Sequence, residues 1–160
     1  MSLPKIAMLE PSDAGRLLPL FDQVQRLHVA AHPALFRADA SEAEKEAFLR
    51  GWLSQDAMHA LIAMAEDGAI LGYLIYERRE RAASVVQNAS RIGFLHHIAV
   101  DEAHRGKRLG TRLMDTMKER LRRDGIATLQ SEHFAFNEAS AALMRSAGLA
   151  PLRITVQGAI

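Results

Sequence analysis

Residues 92–123 constrain the chain most. An apolar run from Ile92 to Val100 leads through Asp101-Glu102-Ala103-His104-Arg105-Gly106-Lys107-Arg108 into a stretch where Leu109, Leu113, Met117 and Leu121 recur four apart. The run reads as a strand over 92–100 and the periodic stretch as an amphipathic helix over 106–123, closed by Asp124-Gly125. The first turn of such a helix has unpaired backbone N–H groups and the positive end of the helix dipole, which together hold anions. Gly106 and Gly110 let a ligand approach the backbone, and Arg105, Lys107, Arg108 and Arg112 add charge. Two glycines four apart also occur where packing alone requires them, so the spacing by itself is weak evidence. Lys118, Arg120, Arg122 and Arg123, further along the helix, read as a solvated face.

Around this unit the pattern predicts a strand over 5–9, a helix opened by Pro11-Ser12-Asp13 and ended by Pro33, and a second helix over 42–53 behind a capping box at Ser41 to Glu44. Two strands, 59–65 and 69–78, flank the turn Glu66-Asp67-Gly68. Residues 79–90 are polar and without period, and read as a loop. A strand over 126–132, a helix capped by Asn137 and closed at Gly148, and a last strand over 151–156 complete the order βααβββαβαβ. The expected fold is one α/β (α+β) domain spanning residues 1–160, with a mixed sheet, a central antiparallel hairpin and flanking helices.

Composition removes several classes. There is no cysteine, hence no disulfide, thiolate metal site or cysteine nucleophile. A net charge of +1 gives no reason to expect nucleic-acid binding. No apolar run follows a basic start, and none approaches the roughly 20 residues of a membrane span, so a cytoplasmic protein away from the membrane is expected. His28 and His32 stand one helical turn apart, but no third ligand accompanies them and no metal is expected.

Two segments carry a resemblance. Ile98 to Gly110 resembles the strand and acetyl-CoA loop of the GNAT superfamily of N-acyltransferases, whose Gln/Arg-x-x-Gly-x-Gly/Ala pattern falls on Arg105, Arg108 and Gly110. The middle glycine is Arg108 here, and an arginine fits that place only with φ below zero. Asn137 to Leu149 resembles the family's Asn-x-x-Ala-x-x-Leu-Tyr-x-x-x-Gly-Phe helix. The resemblance implies a mostly antiparallel, twisted sheet whose central parallel strands, 94–100 and 127–133, splay apart to admit an acyl-pantetheine arm. It places Ile98, Ala99 and Val100 against the pantetheine and thioester, Arg105, Gly106, Lys107, Arg108, Leu109, Gly110 and Thr111 against the diphosphate, and Asn137 near the arm. Acetyl-CoA is the implied cosubstrate and an amine the acceptor.

Aminolysis of a thioester needs a neutral amine, hence a base. Glu132 falls where ribosomal-protein N-acetyltransferases resembling this chain have a glutamate, and its plain alternative is a solvated carboxylate at a strand end. His96 and His97 are adjacent on a strand, so alternation sends them to opposite faces, His96 with Ile98 and Val100, His97 with Leu95 and Ala99. At most one then faces the cleft. The family's general-acid tyrosine falls on Met144, which cannot donate a proton. Tyr73, Tyr76 or a water are substitutes, and an alkyl thiol with pKa of roughly 8.5 leaves with little help. His28, His32 and Trp52 line the acceptor side if the first two helices wall it.

The leading expectation is direct acetyl transfer to the primary amine of a small molecule, peptide or protein in a ternary complex. The alternative is an acyl-CoA-binding regulatory module without turnover, which Met144 and Arg108 favour. A nucleotide site is disfavoured, because the turn lacks a Gly-Lys-Ser/Thr ending and no early strand carries Gly-x-Gly-x-x-Gly. A single strand after Gly148 would leave a sheet edge open, which a homodimer would cover; sedimentation as a monomer at low concentration would remove that expectation.

Overall fold

A computed structural model describes residues 3–159. Five strands form one sheet in the spatial order of the sequence: β1 (Lys5–Leu9), β2 (Met58–Met64), β3 (Ile70–Arg81), β4 (Ser90–Val100) and β5 (Thr128–Ser131). The first three pairings are antiparallel; β4 and β5 are parallel, joined by the crossover helix α3 (Leu109–Arg123). Helices α1 (Leu18–Ala31) and α2 (Glu42–Leu53) cover one face of the sheet, while α3 and α4 (Glu138–Ser146) belong to the other. Each face has its own core. Leu17, Leu20, Leu49, Leu53, Tyr73 and Ile75 are buried on the first, and Leu61, Leu74, Leu95, Leu113, Met117 and Met144 on the second.

The local reasons are visible in the sequence. Ser41 accepts a hydrogen bond from the Glu44 amide at 3.2 Å while the Glu44 carboxylate accepts from the Ser41 amide at 2.8 Å, so α2 begins with the expected capping box. Gly68 turns the β2–β3 hairpin at φ +86°. Gly93 on β4 lets α3 come close, since a Cβ there would overlap the buried Leu121 side chain.

Three expectations are corrected. The helix expected from Pro11 starts as a 3₁₀ segment, Pro11–Leu17, and becomes α-helical only at Leu18. Pro19 is the cause: it has no N–H to continue an α-helical ladder and is tolerated only in a first turn. The loop over 79–90 is shorter than its polarity suggests, because Arg79 to Arg81 pair with Ile92 to Ser90. Arg79 lies over the Phe94 ring and Arg91 bonds Glu80 at 2.8 Å, so charged side chains support this end of the hairpin. The last strand, 151–156, does not form, and Leu152, Ile154 and Val156 are exposed there. β5 offers an edge of only four residues, too few ladder bonds to offset the ordering of a tail at about 1–2 kcal/mol per residue.

Candidate active site

The site begins where two strands part. β4 and β5 pair from Ile92–Thr128 to Leu95–Ser131, where the Ser131 hydroxyl donates to the Leu95 carbonyl at 3.0 Å. Beyond that rung β5 ends and β4 runs on to Val100 with no strand on that side. The opening therefore starts one residue past Leu95, and Glu132 lies outside the strand. The Asp101 amide bonds the Leu71 carbonyl at 2.9 Å, which fixes the alternation. Ala99 turns its amide toward β3, and Ile98 and Val100 turn theirs into the gap.

A β-bulge changes the fate of the two histidines. Ile75 pairs with His97 but Tyr76 pairs with Leu95, so His96 is an extra residue in β4. Alternation fails at this point, and both imidazoles lie on the face covered by α1 and α2. His97 stacks between Phe21 of α1 and Tyr73 of β3, with ring centroids 5.5 Å away in each case. His96 meets the edge of Trp52 of α2 at 5.4 Å. Leu95, grouped with His97 by alternation, instead joins the core beneath α3. Ile98 and Val100 also pack on that side.

The two rings have different electrostatic surroundings. The Tyr73 hydroxyl lies 2.8 Å from His97 Nδ1, and Tyr73 is fully buried with no other acceptor in reach among the described residues, so its O–H donates to that nitrogen. Burial, with the charges of His28 and His96 adding to it, lowers the His97 pKa to about 4, so the ring is neutral at pH 7. His96 Nε2 lies 2.8 Å from Glu77 Oε2, which also accepts from Arg79 at 2.7 Å. The Arg79 and His96 hydrogen bonds hold the Glu77 carboxyl below its usual range, and it stays ionised. His96 Nδ1 has no partner among the described residues. The arrangement is a carboxylate-oriented imidazole at the start of the strand gap.

Aromatic rings close one side of this region. His28 and His32, from the end of α1, contact Phe134 and Phe136 from the β5–α4 loop, and His28 stacks on Phe36, with centroids 4.8–5.8 Å apart. Burial lowers the His28 pKa, and the charge of His32 adds to it. Glu132, the residue after β5, is exposed and makes no hydrogen bond or ion pair among the described residues.

The turn after β4 is held from beneath. Asp101 accepts from His104 at 2.8 Å and from Gln23 of α1 at 3.2 Å, and those bonds keep its carboxyl ionised below the usual range. From there the chain reverses through Gly106 at φ +74° and Arg108 at φ +59°. No hydrogen bond among the described residues engages the amides of residues 106–111, six donors in succession at the N-terminus of α3. Alternating left-handed residues in such a run form a concave nest for an anion. Leu109 buries its side chain, so only its backbone is available there. The Arg105 side chain bonds the Val100 carbonyl and Lys107 the Ala103 carbonyl, which brace the turn. Arg112, counted above among the attracting charges, instead donates to the Pro4 carbonyl at 2.9 Å and ties α3 to the chain start. Asn137 caps α4 by accepting from the Ser140 amide at 3.0 Å.

Arg108 departs from the sequence expectation of φ below zero. It adopts the left-handed conformation at φ +59°, ψ 18°. For a side chain with a Cβ this conformation costs about 1–2 kcal/mol relative to the right-handed helix. Arg108→Gly should therefore raise the stability by about 1 kcal/mol, read as a higher urea midpoint at unchanged slope. An unchanged or lower midpoint would mean the arginine side chain compensates for its backbone. Met144 is buried in the second core, so the position of the absent tyrosine is a packing site.

Sequence reasoning missed Glu77 and Asp101 as partners of His96 and His104, and Arg79 as the partner of Glu77. The cross-strand meeting of Glu77 and His96 depends on a bulge that alternation hides. Phe134-x-Phe136 beside Asn137 was a visible signal of an aromatic loop.

The comparisons agree with this geometry. A family model described as the acetyltransferase (GNAT) family matches residues 21–149. A tetramutant of the BH1408 protein from Bacillus halodurans has a similar fold, with a TM-score of 0.88, 16% identity and coverage of 98% of this chain and 99% of that one. A ribosomal-protein-alanine N-acetyltransferase from Brucella melitensis biovar Abortus 2308 gives 0.72 at 22% identity, covering 99% of both chains. The aminoglycoside N-acetyltransferase AAC(6')-Iy in complex with CoA gives 0.70 at 16% identity, covering 98% of both. No curated protein sequence matches the chain. With a family model spanning most of its length, and a sheet that opens beside a nest of free amides, the chain belongs to the GNAT acetyltransferase family.

Proposed function

We propose that the chain transfers the acetyl group of acetyl-CoA to a primary amine by direct attack in a ternary complex. The observation that carries this reading is the strand gap past Leu95 and Ser131, ending at six amides without partners. The amides of residues 106–111 hold the diphosphate, with Arg108 and Lys107 beside it. Those of Ile98 and Val100 meet the pantetheine and thioester carbonyl, and Asn137 borders the arm. The amine enters from the α1–α2 side, past Trp52 and the rings around His28.

His96 takes the amine proton on Nδ1 while its Nε2–H remains on Glu77. The amine nitrogen bonds the carbonyl carbon, the carbon–sulfur bond breaks, and the thiolate leaves with the electron pair. His97, with a pKa of about 4, is too weakly basic to hold that proton at neutral pH and serves as a packed, uncharged wall. Glu132 is the second candidate base; its exposure gives it no fixed orientation.

Incubation with acetyl-CoA and a panel of amines should release free thiol only when an amine is present. His96→Gln should slow that release about 10²–10⁴-fold with CoA affinity intact, and Glu132→Gln should run near wild type. The reverse pattern moves the base to Glu132. Tight CoA binding without amine-dependent release under any condition marks a binding module instead.

A further inference from the structure

At the far end of α3 from the diphosphate turn lies a cavity of about 180 Å³, lined by His59, Tyr76, Arg78, Arg120, Arg123 and Asp124. Its polar groups are unevenly matched. Arg78 pairs with Asp124 at 3.1 Å and Arg123 with Glu119 at 2.6 Å, whereas Arg120 has no carboxylate partner among the described residues. His59 Nε2 is buried and has no hydrogen-bond partner among the described residues. Burial, reinforced by the charges of Arg78 and Arg120, keeps the His59 ring neutral. A buried polar atom without a partner calls for a ligand or a water. The cavity exceeds the share of one water, about 30 Å³. Its remaining capacity is mostly donor: the Arg120 guanidinium, bonded to the Tyr76 hydroxyl but to no carboxylate among the described residues, and the outer N–H groups of two more, beside the unpartnered His59 nitrogen. The one carboxylate in the wall is already paired. Guanidinium forks match tetrahedral and planar oxyanions in a bidentate manner.

We propose that this pocket is a second anion site, taking a small doubly charged oxyanion such as a phosphate group between Arg120, Arg123 and His59. It is separate from the turn at the start of α3: the helix has 15 residues and is about 20 Å long at 1.5 Å per residue. The negative end of the helix dipole opposes an anion here, and the basic residues Arg120, Arg122 and Arg123 of the last turn outweigh it.

The test uses the whole chain and inorganic phosphate, against chloride at equal ionic strength. Phosphate should shift the His59 imidazole resonances saturably and raise the pH at which that ring titrates. The response should persist in Gly110→Asp, which alters only the other end of α3. It should weaken at least about tenfold in Arg120→Gln, an exposed position whose replacement leaves the core untouched. Four outcomes overturn the site: no change at His59, which leaves a water as its partner; an equal change with chloride; a wild-type response in Arg120→Gln; or a response lost in Gly110→Asp, which assigns the phosphate to the turn.

Discussion

Gly110→Asp is expected to weaken CoA binding at least about 100-fold, equivalent to about 3 kcal/mol, while the protein stays folded. Gly110 is the second residue of α3, and its amide is one of the six without a partner. A Cβ built on it would stand 3.7 Å from Leu143 and 3.8 Å from Val100, which is ordinary contact. The first added atom is therefore accommodated, and Gly110→Ala should bind CoA within a few-fold of wild type. The carboxylate of the aspartate has a different effect. It brings a fixed negative charge to the place where the amides gather, opposite a diphosphate that is itself doubly charged. The same charge favours the helix, since an acidic residue in the first turn of a helix stabilises it by about 0.3–1 kcal/mol. Stability and affinity should thus move apart: a melting point equal to or above wild type, and no CoA heat in calorimetry. Wild-type affinity in this variant would place the diphosphate elsewhere. No heat on titrating CoA into the unaltered, folded protein would remove the reading altogether.

Much of this architecture is legible in the sequence because it is specified locally. The capping box at Ser41 and Glu44, the Gly68 turn and the leucine spacing of α3 each act within a few residues, and each appears where its pattern lies. The misreadings all involve terms that local patterns omit. Pro19 lies inside a helical period, yet its missing N–H moves the start of α1 to Leu18. The apolar alternation of Leu152, Ile154 and Val156 is a strand pattern without a sufficient partner, and a strand needs one. Arg108 stands at φ +59° because the turn geometry required by Gly106 and α3 decides the conformation, not the preference of arginine.

The candidate site was legible in its backbone and not in its side chains. Ile98, Val100 and residues 106–111 are read from motif and alternation, and their amides face the gap or remain without partners. The proposed base was harder to read, because one inserted residue at His96 reverses every facing relation before it along the strand. Glu77 is 19 residues from His96 and meets it only through this register. No spacing rule within one strand could reveal that pair.

Acidification from pH 6.5 to 4 should remove about 3 kcal/mol of stability through His97 alone. In the unfolded chain this imidazole titrates near 6.5, and in the folded one near 4, held there by burial. Between those values the unfolded chain takes up a proton that the folded chain refuses. Its contribution is therefore fully retained above 6.5, falls as pH drops through the interval, and is completely lost below about 4. Roughly 2 kcal/mol of the loss belongs between pH 6.5 and 5, above the range where Glu77 and Asp101 take up protons. The burial that lowers His28 and His59 acts in the same direction and steepens the same window. His97→Gln keeps a side-chain oxygen to accept from Tyr73 and removes the titration. Urea unfolding at pH 7.5, 6 and 5 should show a smaller decline for this variant than for wild type, whatever its absolute stability. Parallel declines would mean that the folded ring takes up its proton near 6.5, and a charged imidazole would then stand on the proposed path of the amine. An uncharged His97 instead accords with the proposal that His96, tied to Glu77, takes the amine proton.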